Sequence, residues 1–177
     1  MITDVEAFIR WFESVNRRAM RDVGALPEEA ERWRPGAGEG EDGWSIGELV
    51  AHMAASRMFF VSAFVTGEWV TGPWAGPSGN RGEWLAALAD SAAEVRRRLE
   101  GAPAERLSRR IPGIDDPGVS VAGWRLLMMM AEHDIHHRSQ IDTYAGINGW
   151  EVRQIFGRTA EQVGLAAGLD RPGESRG

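Results

Sequence analysis

The chain contains no cysteine and no lysine. The first absence excludes disulfides, thiolate metal ligands and a cysteine nucleophile. The second excludes Schiff-base chemistry and the lysine of a phosphate-binding loop. All 20 basic residues are arginine. Strand patterning is also lacking, because IRWF and FFVSAFV sit inside helical periodicity and no alternating run is bounded by turns. No apolar run approaches membrane-spanning length, and VAGWRLLMMMA is broken by Arg125. The opening MITDVEAFIRW is acidic where a signal peptide is basic and then apolar. A net charge of -6 and a pI near 5.3 oppose general attraction to nucleic acid or anionic lipid. The expectation is a cytoplasmic protein with no nucleic-acid or membrane partner. Histidine and carboxylate are the main chemical resources left.

What is present is helical. The 177 residues are 43% hydrophobic and include eight tryptophans, enough for one full-sized core. Thr3-Asp4-Val5-Glu6 reads as a capping box, followed by Val5, Phe8, Ile9, Phe12, Val15, Ala19 and Val23 at helical spacing. Residues 34–43 form a connection rich in glycine. Ser45-Ile46-Gly47-Glu48 is a second capping box, opening a helix to about Thr66. TGEWVTGPWAGPSGN must be a loop. A third helix is predicted from about Arg81 to Glu100 and a fourth from about Val119 to Ala145. A short helix capped by Thr159 follows. These elements predict an all-α four-helix bundle with a short C-terminal helix, in one domain over residues 1–170, and a flexible tail at 171–177.

Three of the four histidines fall within EHDIHHRSQID, at His133, His136 and His137; the fourth is His52. At about 100° per residue, His133 and His137 are about 40° apart on the face carrying Leu126, Met130, Ile141 and Tyr144. His136 projects away, beside Glu132, Arg125 and Thr143. On the second helix His52 borders the arc of Ile46, Leu49, Met53, Phe60 and Phe64, with the small residues Ser56 and Ala63 on its own side. A buried imidazole is more often a hydrogen-bonded core residue than a ligand. Two at i,i+4 are costly to bury unless something satisfies both inner nitrogens, and a divalent cation does so.

A histidine in SIGELVAHMAASR, followed by HDIHHRSQIDTYAGING, resembles the DinB/YfiT-like metal-binding four-helix-bundle superfamily. The resemblance spans most of the chain, including Trp44 before the second helix and the GING stop after the fourth. It implies an up-down-down-up bundle with long crossovers, and a homodimer. Residue by residue, it implies His52, His133 and His137 as the metal ligands. Two departures stand out: Ser139, where many members have glycine, and Arg57, where many have an acidic residue. The resemblance further implies thiol-dependent chemistry, because some members join bacillithiol, mycothiol or glutathione to electrophiles and one is a mycothiol-dependent maleylpyruvate isomerase.

Three neutral histidines leave a dication uncompensated, so an anion is favoured in the open position. Zinc is the first choice of metal, with nickel, iron and manganese as alternatives. The reading is a metal-dependent thiol S-transferase or thiol-linked isomerase whose partners are a low-molecular-weight thiol and a small electrophile. A metal-dependent hydrolase, or a bundle with a structural or vestigial metal, stands as the alternative. Around this site Asp134, on the buried side, is a candidate for orienting a ligand histidine or assisting a proton transfer, and Gln140 and Tyr144, further along the same face, are candidates to line the site. Trp69 and Trp74 either pin their loop or border a pocket mouth. Met128 and Met129, off the buried arc, offer a dimer surface. Met130 with its two neighbours reads as packing, and Arg96, Arg97 and Arg98 as a solvated surface.

Overall fold

The structure, a computed structural model, describes residues 2–36, 40–70, 79–116 and 118–166. Four long helices dominate it: α1 (Val5–Gly24), α2 (Ile46–Thr66), α3 (Arg81–Leu99) and α4 (Gly123–Ile147). A short α5 spans Ala160–Ala166.

Capping chemistry sets most of the helix starts. At α2 the Ser45 side chain accepts from the Glu48 amide while the Glu48 carboxylate accepts from the Ser45 amide. Thr159 and Gln162 exchange the same pair of bonds at α5. At α1 the expected Thr3 box does not form. Asp4 is the cap instead, its carboxylate accepting from the Ala7 amide at 2.7 Å. An ionised acceptor at a helix N-terminus gains from the macrodipole as well as from the bond.

The fourth helix starts four residues later than its periodicity suggested, because Ser120–Ala122 (β2) pairs antiparallel with Arg110–Pro112 (β1). Strands of three residues are too short to show as an alternating run. Ile111 nonetheless anchors the ribbon by full burial in the core.

Each long helix packs against two others, α1 and α2 both contacting α3 and α4. Cross-helix contacts give the directions. Arg96 near the end of α3 meets Glu13 and Glu6 in the first half of α1, and Gly24 at the end of α1 faces Leu85, so this pair is antiparallel. Asp22 late in α1 meets Arg138 late in α4, whereas Trp11 shares a surface cleft with Met128, so this pair is parallel. Phe64 on α2 approaches Gly123 on α4 while His52 meets His133, which makes that pair antiparallel. The bundle is therefore up-down-down-up, and the parallel neighbours α2 and α3 need a connection that spans its length.

Helix α2 reaches the length and apolarity of a membrane-crossing helix, with a mean hydropathy of 1.4, against the expectation that no run would approach it. Its position explains the composition. It packs on both α3 and α4, and Ile46, Leu49, Val50, Met53, Val61 and Phe64 are fully buried.

Candidate metal centre

Helices α2 and α4 bring His52, His133 and His137 together, as their helical positions predicted. The Nε2 atoms of His52 and His133 are 2.8 Å apart, and those of His133 and His137 are 3.2 Å apart. One donor atom from each imidazole lies within 4.8 Å of the others. His137 is buried, while His52 and His133 are half-buried. His136 is exposed and outside the cluster, its ring beside that of His137.

Hydrogen placement tests whether this triad suits a metal. The Gln140 amide donates to the Tyr144 hydroxyl at 3.1 Å, which turns its oxygen toward His137 Nδ1, also at 3.1 Å. Nδ1 of His137 is then the protonated nitrogen, and its Nε2 presents a lone pair to the cluster. His133 Nε2 faces two neighbouring Nε2 atoms, and a single hydrogen cannot serve both contacts well. Its Nδ1 is buried and has no hydrogen-bond partner among the described residues. Burial, and then the nearby His137 and His52 rings, push the His133 imidazole down to about 3, so it is neutral at physiological pH. Three imidazoles with converging ring nitrogens fit one shared dication, which accepts all three lone pairs at once.

Aromatic rings surround the cluster. Trp44 meets His52 edge-on at 4.9 Å between centroids, and Phe60 lies 6.0 Å from His133. Trp69 lies tilted against Phe59 at 4.8 Å, approaches Phe60 at 6.1 Å, and donates its indole N–H to the Pro112 carbonyl at 2.8 Å. Trp69 thus pins the segment after α2 to β1, and Phe60 stands between it and the imidazoles. Trp74 lies outside the described residues. Ser56 is half-buried. Ala63 is fully buried in the core. Eleven residues beyond His52, it lies about 16 Å along the helix and makes no room at the site.

The largest surprise is Arg57. Its side chain is fully buried, and every guanidinium N–H is used. Nε and Nη2 donate to Asp134 Oδ2 at 3.1 and 2.7 Å, Nη1 to the Leu88 carbonyl and Ser91 hydroxyl, both at 2.8 Å, and Nη2 also to Asn16 Oδ1 at 2.8 Å. The guanidinium carbon lies 5.2 Å from the centre of the Phe12 ring. Asp134 therefore engages Arg57, where the sequence offered it for orienting a ligand histidine or assisting a proton transfer. Burial pushes the Asp134 carboxyl up, and Arg57 pulls it the other way. A signal for this pair was present in the sequence: Arg57 interrupts the apolar stripe between Met53 and Phe60, as Asp134 interrupts the one between Met130 and Ile141.

A sequence profile of the DinB superfamily matches residues 12–141, a span that contains all three histidines. Solved structures share the fold. The DinB-like protein YjoA of Bacillus subtilis is 20% identical with a TM-score of 0.65, covering 82% of this chain and 94% of its own. YfiT from Bacillus subtilis, described as a probable metal-dependent hydrolase with an unusual four-helix bundle topology, is 16% identical with a TM-score of 0.63 over 83% of this chain and 89% of its own. A mycothiol-dependent maleylpyruvate isomerase is 15% identical with a TM-score of 0.57, over 80% of this chain and 63% of its own. No curated protein matches the chain in sequence.

Proposed function

The chain belongs to the DinB superfamily, and we propose that it is a metal-dependent enzyme in which His52, His133 and His137 hold one divalent cation, zinc first, to direct a small-molecule thiol onto a small electrophile. The observation that carries this reading is the convergence of the three Nε2 atoms from two helices. When bound, a dication on three neutral imidazoles supplies positive charge that lowers the pKa of a thiol or water beside it.

The chain's own residues prepare the site for that charge. Gln140 and Tyr144 hold His137 in the tautomer whose Nε2 can ligate. Trp44 and Phe60 stand beside the imidazoles and limit the water that reaches them. With no cysteine in the sequence, the nucleophilic sulfur has to arrive with a cosubstrate. Reduced low-molecular-weight thiols are maintained in the cytoplasm, which is where we place the protein. Hydrolysis by the same site, with water in place of the thiol, is the competing reading, and the activity named for YfiT favours it.

Conjugation of a model electrophile, measured against thiol identity for zinc-loaded, apo and His137→Ala protein, separates the two. The thiol reading expects one thiol to be strongly preferred and the rate to vanish without metal. Uncatalysed rates with every thiol, in all three proteins, remove it.

A further inference from the structure

The apolar core is divided into two clusters. One contains Phe8 and Phe12 of α1, Val61 and Phe64 of α2, Val95 and Leu99 of α3, and Leu126, Leu127, Met130 and Ala131 of α4. The other contains Ala19 and Val23 of α1, Ile46, Leu49, Val50 and Met53 of α2, Trp84 and Leu88 of α3, and Ile141, Tyr144 and Ala145 of α4. On every helix the change from one cluster to the other falls at a polar residue: Asn16, Arg57, Ser91 and Asp134. These four are the residues joined through the Arg57 guanidinium. These four form one polar cross-section of the bundle, beside the second buried pair of Asp22 and Arg138, and His133 and His137 flank Asp134 on α4.

A buried ion pair is not a good source of net stability, because desolvating both charges offsets most of their attraction. What it does well is exclude alternatives. Sliding or rotating α4 by one residue against α2 would strand the Arg57 charge in an apolar core, whereas apolar side chains tolerate such shifts. The histidine cluster joins the same two helices and needs the same register.

We propose that Arg57 is a positioning residue for the metal centre: by binding Asn16, Ser91, the Leu88 carbonyl and Asp134 together, it fixes α4 against α2 so that His133 and His137 meet His52. All five of its donors are satisfied inside the protein, so it acts through the helices and never on a bound molecule. This inference rests on the metal-binding reading above, though not on the thiol chemistry.

The test is Co2+ titration followed by visible absorption, well below the unfolding temperature. It compares wild type with the Arg57→Met/Asp134→Leu double variant, with Arg57→Lys, and with Leu99→Ala as a destabilised core control. The double variant should retain helical circular dichroism and cooperative unfolding, yet bind Co2+ about 10–100-fold more weakly with a changed spectrum. Arg57→Lys keeps the charge and loses the planar fork, so it should also weaken binding; it carries the comparison if the double variant does not fold. Leu99→Ala should lose stability and keep both affinity and spectrum. Wild-type affinity and spectrum in Arg57→Lys or in a folded double variant overturn the proposal and leave the metal site standing. Failure of wild type itself to bind Co2+ removes both.

Discussion

The Nε2 atoms of His52 and His133 stand 2.8 Å apart across the interface of α2 and α4, although 81 residues separate them in the chain. Neither helix presents a metal site alone. The i,i+4 pair of α4 becomes a three-donor cluster only because α2 runs antiparallel beside it, with His52 at the matching height.

Ligand choice is the most direct prediction. His52→Ala, His133→Ala and His137→Ala should each abolish stoichiometric uptake of a divalent ion, while His136→Ala leaves it unchanged, because His136 is exposed and outside the cluster. Elemental analysis of the purified variants decides this. Loss of metal in His136→Ala with retention in His137→Ala would reverse the assignment.

Metal should also stabilise the fold. Binding to the native state alone contributes about 2.7 kcal/mol at a free-ion concentration a hundred times Kd. A rise in Tm on adding Zn2+ is therefore expected for wild type and should be absent in His52→Ala. Equal melting curves for wild type with and without the ion would count against a formed site.

Gln140 holds the ring of His137 through its carbonyl oxygen, 3.1 Å from Nδ1. Removing its carbonyl in Gln140→Leu frees the imidazole to change tautomer, so metal affinity should fall about 10–100-fold. Apo stability should change little, because Gln140 is only half-buried. Unchanged affinity in a competition titration would show that His137 needs no such support.

Gly123 opens α4 against the backbone of Arg106. A methyl group there would sit far inside contact distance of the Arg106 carbonyl oxygen and 3.1 Å from the Phe64 ring. Gly123→Ala should therefore destabilise the protein by about 1–3 kcal/mol, the usual cost of overpacking. Urea denaturation measures it, and a change within about 0.5 kcal/mol, the range of an ordinary surface substitution, would mean that the Arg106 backbone yields freely.

We also predict a homodimer. Trp11 and Ile135 are 39% and 38% exposed on α1 and α4, and Met128 lines a cleft with Trp11, Phe8 and Ile2. Light scattering at micromolar concentration should report twice the 19.5 kDa chain mass. A species of 19.5 kDa alone removes this prediction.

Local order in the sequence determined the helices, because capping and 3.6-residue periodicity act over a few neighbours. Ser45 with Glu48 marked the start of α2, and the angles of His133, His136 and His137 separated inward from outward imidazoles before any tertiary contact was known. Where two local solutions compete, that reasoning loses resolution: Thr3 and Asp4 both suit a cap, and Val119 to Ala122 suit a helix start as well as a strand. Only the tertiary structure decided which residues stand at the same height on different helices. A polar residue inside each apolar stripe was visible at Asn16, Arg57, Ser91 and Asp134. That they form one layer depends on axial register between helices, which packing across the core sets and no single helix encodes.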